Sequence, residues 1–461
     1  DDNKHHYTPP NGLPELRVAI SKNLREKYNL IYNENEIVVT AGVQESIALT
    51  MLSLLETGDE VLITSPRFTT YDLNVRMCNA KPIPIPTYEK NNFSLMPNII
   101  EEKINNKTKL IVLVSPNNPT GAVTPPENIK KIAEIAIKHD LIVIADEIYA
   151  DLIYENHEHL SIATLANMKE RTLTLNGFSK TYAMTGWRIG YVAGPQDITN
   201  KMSEIRHSLS INSCTFSQYG ALAALEGPQD DIIKMKEEYN MRRKFCMKAL
   251  DDIGFSYGDP GGAFYIYTNV SNSGLAASDF CKNLLEKTGV LLFPGTLFGD
   301  EEDKYIRLSY LQPIDKIEES MNRIKSFINE CDLEKSILKL DIEKSEYEVI
   351  NSIEENLLKK FKMLIIEFHG LEMIGEESFF LKLKAVKNKI LKNFLTVHIH
   401  PNNCCGIHNV GKFKVPSVLE VTYLNKKFSK KPMEPCNLPH KLDAKNKLKY
   451  EDISLPDYWF N

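Results

Sequence analysis

The chain lacks several things, and each absence narrows what it can be. No run of about 18 or more consecutive apolar residues occurs, so no membrane-spanning helix is expected. Positive charge is not in excess: 55 Lys and Arg stand against 61 Asp and Glu, a net charge of −6. A protein that coats nucleic acid would be basic, so that class is set aside. Gly (22) and Pro (23) are ordinary in number, which excludes a fibrous or wholly disordered chain. The eight cysteines are scattered, as in reduced cytoplasmic proteins, and form no disulfide framework. The first residues, DDNKHHYTPPNG, have no apolar stretch of the kind a signal peptide needs. No repeat of fixed period is present. What is present is 461 residues, 43% of them hydrophobic, enough for two or three domains with real cores.

From Leu13 to Tyr28 the spacing predicts an amphipathic helix with Pro14 near its start. Strands and helices then alternate. EIVVTAG reads as a strand entering a glycine turn, and VQESIALTMLSLLETG as a helix ended by Gly58. DEVLITSP, KLIVLVSP and LIVIADE are short runs rich in Val and Ile, as buried parallel strands are. Helical stretches such as PPENIKKIAEIAIKHD separate them. The expectation is an α/β fold, a mostly parallel sheet covered by helices, with ligands gathered where strands end. GGAFYIYTNV (261–270) and KYIRLSYLQ (304–312) suit a smaller α+β domain. After Glu330 lysine becomes frequent and new strand-like runs begin: SILKLDIE, KMLIIEFHG, FLTVHIHP and VLEVTYL.

The polar residues at strand ends carry the chemistry. SPNNPTGAV contributes Asn118, ADEIYADLIY contributes Asp146 and Tyr149, and LNGFSKTYAMTGWR contributes Lys180 and Arg188. Taken singly, each has a plainer role: a surface lysine, a helix cap, a turn residue. One reading uses all of them, with a pyridine aldehyde phosphate as cofactor. Its aldehyde needs an amine, which Lys180 offers, with a pKa lowered by burial and neighbouring cations. Its ring nitrogen needs a carboxylate to stay protonated, and Asp146 is the candidate. Asn118 and Tyr149 can serve the 3-hydroxyl. The phosphate needs a cation and backbone N–H groups, offered by Arg188 and the turn at Gly42, Val43 and Gln44. Phe68, in SPRFTTY, can stack on the ring or serve as plain core.

These blocks resemble, over roughly residues 1–330 and in the same order, the class I/II, fold-type-I aminotransferases that use pyridoxal 5'-phosphate. The resemblance implies a Schiff base on Lys180 and transfer of an amino group between an L-amino acid and a 2-oxo acid. It implies that Arg307, in YIRLSY, clamps the substrate α-carboxylate together with Asn118. It implies that Tyr7 reaches the phosphate of a neighbouring subunit in a cytoplasmic homodimer with shared active sites. It also implies a large domain at about 33–250 and a small one from 1–32 and 251–330. The family has a serine where this chain has Gly177, so Ser179 or the backbone must replace that contact. It also carries a segment ahead of Tyr7, expected to be missing here. A carbon–sulfur β-lyase would use the same lysine and arginine. A non-catalytic binding protein built from truncated enzyme domains is the alternative of another class.

Residues 331–425 resemble the later strands of the FkbM-type methyltransferases, which use S-adenosylmethionine, through ILKLDIEKSEYEVI, LIIEFHGL and VHIHPNNCCG. Lys344 stands where that family has a glycine, and no glycine-rich loop precedes Asp341. The resemblance implies an incomplete α/β segment. HIHPNNCCGIH offers His398, His400, Cys404, Cys405 and His408, but the spacing fits no standard zinc finger, and no metal is expected. Residues 426–461 read as a charged, flexible tail with little to bury.

Overall fold

The computed structural model of the protein describes residues 4–330, 336–403, 405–429 and 455. The chain forms two compact units, 1–327 and 328–461.

The first unit is built on a seven-stranded sheet. Its strands are β1 (Ile37–Thr40), β2 (Glu60–Ser65), β3 (Lys81–Pro86), β4 (Thr108–Val114), β5 (Ile142–Asp146), β6 (Thr172–Gly177) and β7 (Gly190–Ala193). They lie in the order β1-β7-β6-β5-β4-β2-β3. β7 runs antiparallel to both its neighbours, and the other adjacent pairs are parallel. Both faces are covered, which explains the unbroken Val and Ile runs. Val61, Ile63, Leu110, Val112 and Ile144 point to one side, against Ile47, Leu49 and Met51 of the helix Val43–Leu54. Leu62, Ile111, Leu113 and Val143 point to the other, against Ile129, Ile132 and Ala133 of the helix Pro126–Lys138.

Two expectations are corrected here. The helix after β1 ends at Leu54, and its terminal cap is Leu55; Gly58, at φ +95°, belongs to the turn before β2. Residues 1–32 do not belong with 251–330. The helix Pro14–Tyr28 carries a stripe of Leu16, Ile20 and Leu24, all fully buried. That stripe needs an apolar floor and finds it at Val39, Ile189 and Tyr191, on the β1–β7 edge of the large sheet.

The smaller sheet of this unit is antiparallel: β8 (Ser256–Tyr257), β9 (Tyr265–Asn269), β10 (Phe293–Pro294) and β11 (Tyr305–Ser309), in the order β10-β11-β9-β8.

The second unit holds a four-stranded sheet of β12 (Ile337–Leu340), β13 (Met363–His369), β14 (Phe394–Pro401) and, beyond the hairpin β15 (Ile407–Val410) and β16 (Phe413–Pro416), β17 (Val418–Asn425). The order is β12-β13-β17-β14, and only β12 and β13 are parallel. Leu364, Ile366, Phe368, Leu419, Val421 and Tyr423 pack one face against Val386 and Ile390 of the helix Glu377–Asn393. The tail expected at 426–461 lies largely outside the described residues. Leu455 packs on this core, so that part of the chain does bury an apolar side chain. Cys405 takes part in a disulfide, which the reading of the cysteines as reduced did not foresee. Cys404 lies outside the described residues.

Candidate active site

The carboxyl ends of β4, β5 and β6 bring together Asn118, in the loop after β4, Asp146, the last residue of β5, and Lys180, in the short helix after β6. With Phe68 and Tyr71, beyond β2, and the helix Val43–Leu54 they enclose a cavity of about 330 Å³. Ten of the residues singled out in the sequence line it: Val43, Gln44, Phe68, Asn118, Asp146, Tyr149, Ser179, Lys180, Arg188 and Arg307.

Lys180 lies in the short helix Phe178–Thr181, directly after β6. Its Nζ stands 5.8 Å from the Tyr149 ring centroid and 5.3 Å from that of Phe264. Burial first, and then the positive charges of Arg188 and Arg307, hold its amine below the ordinary lysine range. Among the described residues no carboxylate forms an ion pair with Lys180 or with Arg307. The Lys180 amine is thus partly desolvated and held ready as a base or nucleophile.

Asp146 ends β5 and is buried. Its Oδ2 accepts a hydrogen bond from the Tyr71 hydroxyl, and its Oδ1 accepts one of 3.2 Å from the backbone N–H of Ile148. Burial pushes the carboxyl up to about 6, against the pull of those two donors. A cation placed against it would restore full ionisation. Tyr149 is buried, and its hydroxyl shares a 3.0 Å hydrogen bond with that of Tyr265.

Arg307, on β11, donates from Nη1 to Asn118 Oδ1 at 3.0 Å. Its guanidinium lies over the rings of Phe298, Tyr265 and Phe293 at 4.5, 4.7 and 5.1 Å. Its buried Nε has no partner. Donors held this way, with no anion paired to them among the described residues, suit a carboxylate from outside.

Arg188 adopts φ 52° and donates to the carbonyls of Thr185 at 3.0 Å and Ala41 at 3.3 Å. Gly42, at φ +82°, does not line the cavity but lets this arginine lie across the turn: a Cβ there would stand 2.6 Å from Arg188 Nη2. The helix Val43–Leu54 opens beside that guanidinium, and the N–H groups of a helix's first turn can serve an anion. Gly177 has its own reason. A Cβ there would stand 2.8 Å from Cα of Gly190 on β7, so a larger residue would force the strands apart. Ser179 lines the cavity instead.

Tyr7 is not part of this cavity and is 79% exposed. The sequence reading missed Tyr71, Tyr265 and Thr185, which also line the cavity. Tyr71 sits three residues after Phe68, one turn along in the helix Thr70–Met77, and that spacing was the available signal.

Residues 1–324 match the family described as aminotransferase class I and II. The chain belongs to that family. The aspartate aminotransferase of Pyrococcus abyssi is 40% identical over 328 residues, covering 70% of this chain and 84% of that protein. An aromatic-amino-acid aminotransferase of Thermococcus litoralis is 37% identical over 329 residues, with coverage of 70% and 84%. The crystal structure of the aromatic aminotransferase from Pyrococcus horikoshii superposes with a TM-score of 0.70 at 38% identity, covering 72% of this chain and 89% of that one. The first unit is therefore an aminotransferase domain of fold type I. Residues 285–388 also match the methyltransferase FkbM domain. The two matches overlap at 285–324, where the fold assigns the residues to the aminotransferase unit.

Proposed function

We propose that the first unit binds pyridoxal 5'-phosphate on Lys180 and moves an amino group between an L-amino acid and a 2-oxo acid. The observation that carries this reading is the grouping of Lys180, Arg188 and Arg307 with Asp146 around one cavity, with neither Lys180 nor Arg307 in an ion pair. The donor set fits the cofactor. Lys180 offers the amine for its aldehyde, and Asp146 a buried carboxylate for its ring nitrogen. Tyr149 and Asn118 offer hydrogen bonds for its 3-oxygen, Phe68 a ring to stack on, and Arg188 with the Gly42–Gln44 turn a seat for its phosphate.

When bound, the cofactor supplies an electron sink for bond breaking at the substrate α-carbon. Arg307 holds the substrate carboxylate, and Asn118, hydrogen-bonded to it, fixes the guanidinium plane. Lys180 Nζ takes the α-proton and returns it, a task suited to an amine whose pKa is depressed. Asp146 keeps the ring nitrogen protonated, and Tyr71 orients Asp146.

A cytoplasmic homodimer is part of the same reading. Tyr7 lies beside the start of the helix Thr215–Glu226, since Thr215 donates to the His6 carbonyl at 2.7 Å. Nearby Phe216 is 67% exposed, as is Leu209. An apolar surface of this kind suits a second copy, with Tyr7 reaching the partner's phosphate site.

The test is borohydride reduction of the full chain after incubation with pyridoxal 5'-phosphate, followed by peptide mass mapping. A pyridoxyl adduct on the peptide containing Lys180 is expected. An adduct confined to other lysines would overturn the assignment. With one amino acid present, release of ammonia and pyruvate without a second substrate would favour a lyase.

A further inference from the structure

The second unit holds a cluster that the aminotransferase chemistry does not use. Asp341 directly follows β12, and Glu367 and His369 close the parallel neighbour β13. Glu367 and His369 are two apart on a strand, so they share a face. One ligand atom from each of Asp341, Glu367 and His369 lies within 4.8 Å of the others. An ion held at about 2.1 Å from three donors needs them about 3–4 Å apart, so small side-chain rotations suffice.

Two further observations point to a cation. The first is His369 itself. It is 8% exposed, and its buried Nδ1 makes no hydrogen bond among the described residues. Its Nε2 faces Asp341 Oδ1 and the exposed Glu343 Oε2, each at 3.9 Å, while its Nδ1 faces Glu346 Oε1 at 3.5 Å. Glu346 is completely buried and is anchored by accepting the backbone N–H of His369 at 2.8 Å. A carboxylate behind one imidazole nitrogen is how a protein leaves the other nitrogen free for a metal. The second is the row of like charge. Glu367 pairs in register with Glu420 of β17, and Asp341 is next in line on the other side. Carboxylates directly opposite each other repel, which a cation among them would offset; on its other side Glu420 pairs in register with His400 of β14. Asn402 donates to Glu367 Oε1 at 2.6 Å, which orients that carboxylate and leaves its second oxygen available.

We propose that Asp341, Glu367 and His369 form a binding site for a divalent transition-metal ion, with Glu346 as the positioning residue behind His369. Two carboxylates, one imidazole and no thiolate suit Mn²⁺ or a neighbouring first-row ion better than Mg²⁺ or Ca²⁺, whose sites are built from oxygen alone. Three protein donors leave coordination positions open to water or to an oxygen-bearing ligand.

The probe is Mn²⁺, titrated into the metal-free full chain and followed by loss of the free-ion electron paramagnetic resonance signal. One ion per chain is expected to bind at sub-millimolar concentration. Asp341→Asn and His369→Ala each abolish that binding. Glu346→Gln weakens it about 10-fold. His408→Ala, on the hairpin, leaves it unchanged. Asp341 is half exposed, so Asp341→Asn keeps the fold and makes the test decisive even where His369→Ala does not fold. Absence of sub-millimolar binding, binding that survives Asp341→Asn, or full displacement by equimolar Mg²⁺ would each overturn the proposal.

Discussion

The two units place polar side chains at the same kind of address and give them opposite charge. In the first, the carboxyl ends of β4, β5 and β6 open onto a cavity with three cationic side chains and one buried carboxyl, Asp146. In the second, the carboxyl ends of β12 and β13 open onto carboxylates with one buried imidazole. Parallel strands expose loops and strand tips at that end whatever the sequence, so topology explains the location in both cases. The side chains decide the sign of what is attracted. The first address suits a phosphate and a carboxylate, and the second suits a metal ion. A shared fold element therefore says where a ligand sits and nothing about its chemistry.

The comparison is broken most severely at Lys180. Lys180→Ala removes both the amine that anchors the cofactor and the base that moves the α-proton. Turnover should fall by about 10⁴-fold or more, since proton transfer alone contributes about 10²–10⁴-fold. Steady-state assay of the variant, with Mn²⁺ binding measured alongside, checks this. Activity at the parent rate would sink the reading, and loss of Mn²⁺ binding would show that the two addresses are not independent.

Asp146 sharpens the contrast, because its charge is costly to the empty fold. Burial pushes its folded carboxyl up to about 6, against 3.8 for the exposed side chain. The folded state thus holds this proton more tightly than the unfolded one. The group's contribution is fully present below the unfolded value and is lost as pH rises through about 6. The loss is about 3 kcal/mol at 1.36 kcal/mol per unit. Asp146→Asn should therefore stabilise the cofactor-free protein at pH 7 relative to the parent, with little gain at pH 3.5 to 4 (roughly the unfolded range). Activity should drop by about 10²–10⁴-fold at the same time. Urea denaturation at both pH values, paired with the assay, tests the sign. Equal stabilities at neutral pH would mean that Asp146 is not desolvated as the structure has it.

Arg307→Ala should act on substrate more than on cofactor. Its loss removes a charge-assisted contact of about 1.5–3 kcal/mol, a fall of roughly 10- to 150-fold in kcat/KM. Cofactor absorbance should persist. A variant that loses the cofactor and keeps KM would move Arg307 from the substrate to the phosphate.

Much of the first address was legible because its residues follow strands whose Val and Ile runs are unmistakable. Lys180, Asp146 and Asn118 each sit just beyond such a run. Tyr71 was not legible in its role, because its contact with Asp146 joins residues 75 apart in sequence. The packing of residues 14–28 on the large sheet was missed for a similar reason: an amphipathic stripe says that a helix must be covered, and not by which surface. In the second unit attention went to His398, His400, Cys404, Cys405 and His408, which are close in sequence. The cluster at Asp341, Glu367 and His369 is assembled by strand register, and register is visible only once β12 and β13 are paired.

The smallest expected effect concerns independence of the units. The residues lining the aminotransferase cavity all precede residue 328, where the second unit begins. The first unit's last helix, Ile314–Glu330, is amphipathic, and Ile317, Met321, Ile324 and Phe327 are its buried stripe. A chain ended after Glu330 keeps that stripe whole. It should retain cofactor absorbance and change kcat/KM by no more than about 2-fold, within the scatter of contributions from distant sites. The full chain should also fail to bind S-adenosylmethionine. A nucleotide site of that class needs a glycine-rich turn after an early strand of the sheet. Among the described residues of the second unit the sheet begins at β12, and the chain before it forms the aminotransferase helix. Calorimetric titration of the full chain decides this part. A stoichiometric, micromolar signal with S-adenosylmethionine would mean that the open face of β12 and β13 serves a nucleotide, and the metal assignment would then have to account for both.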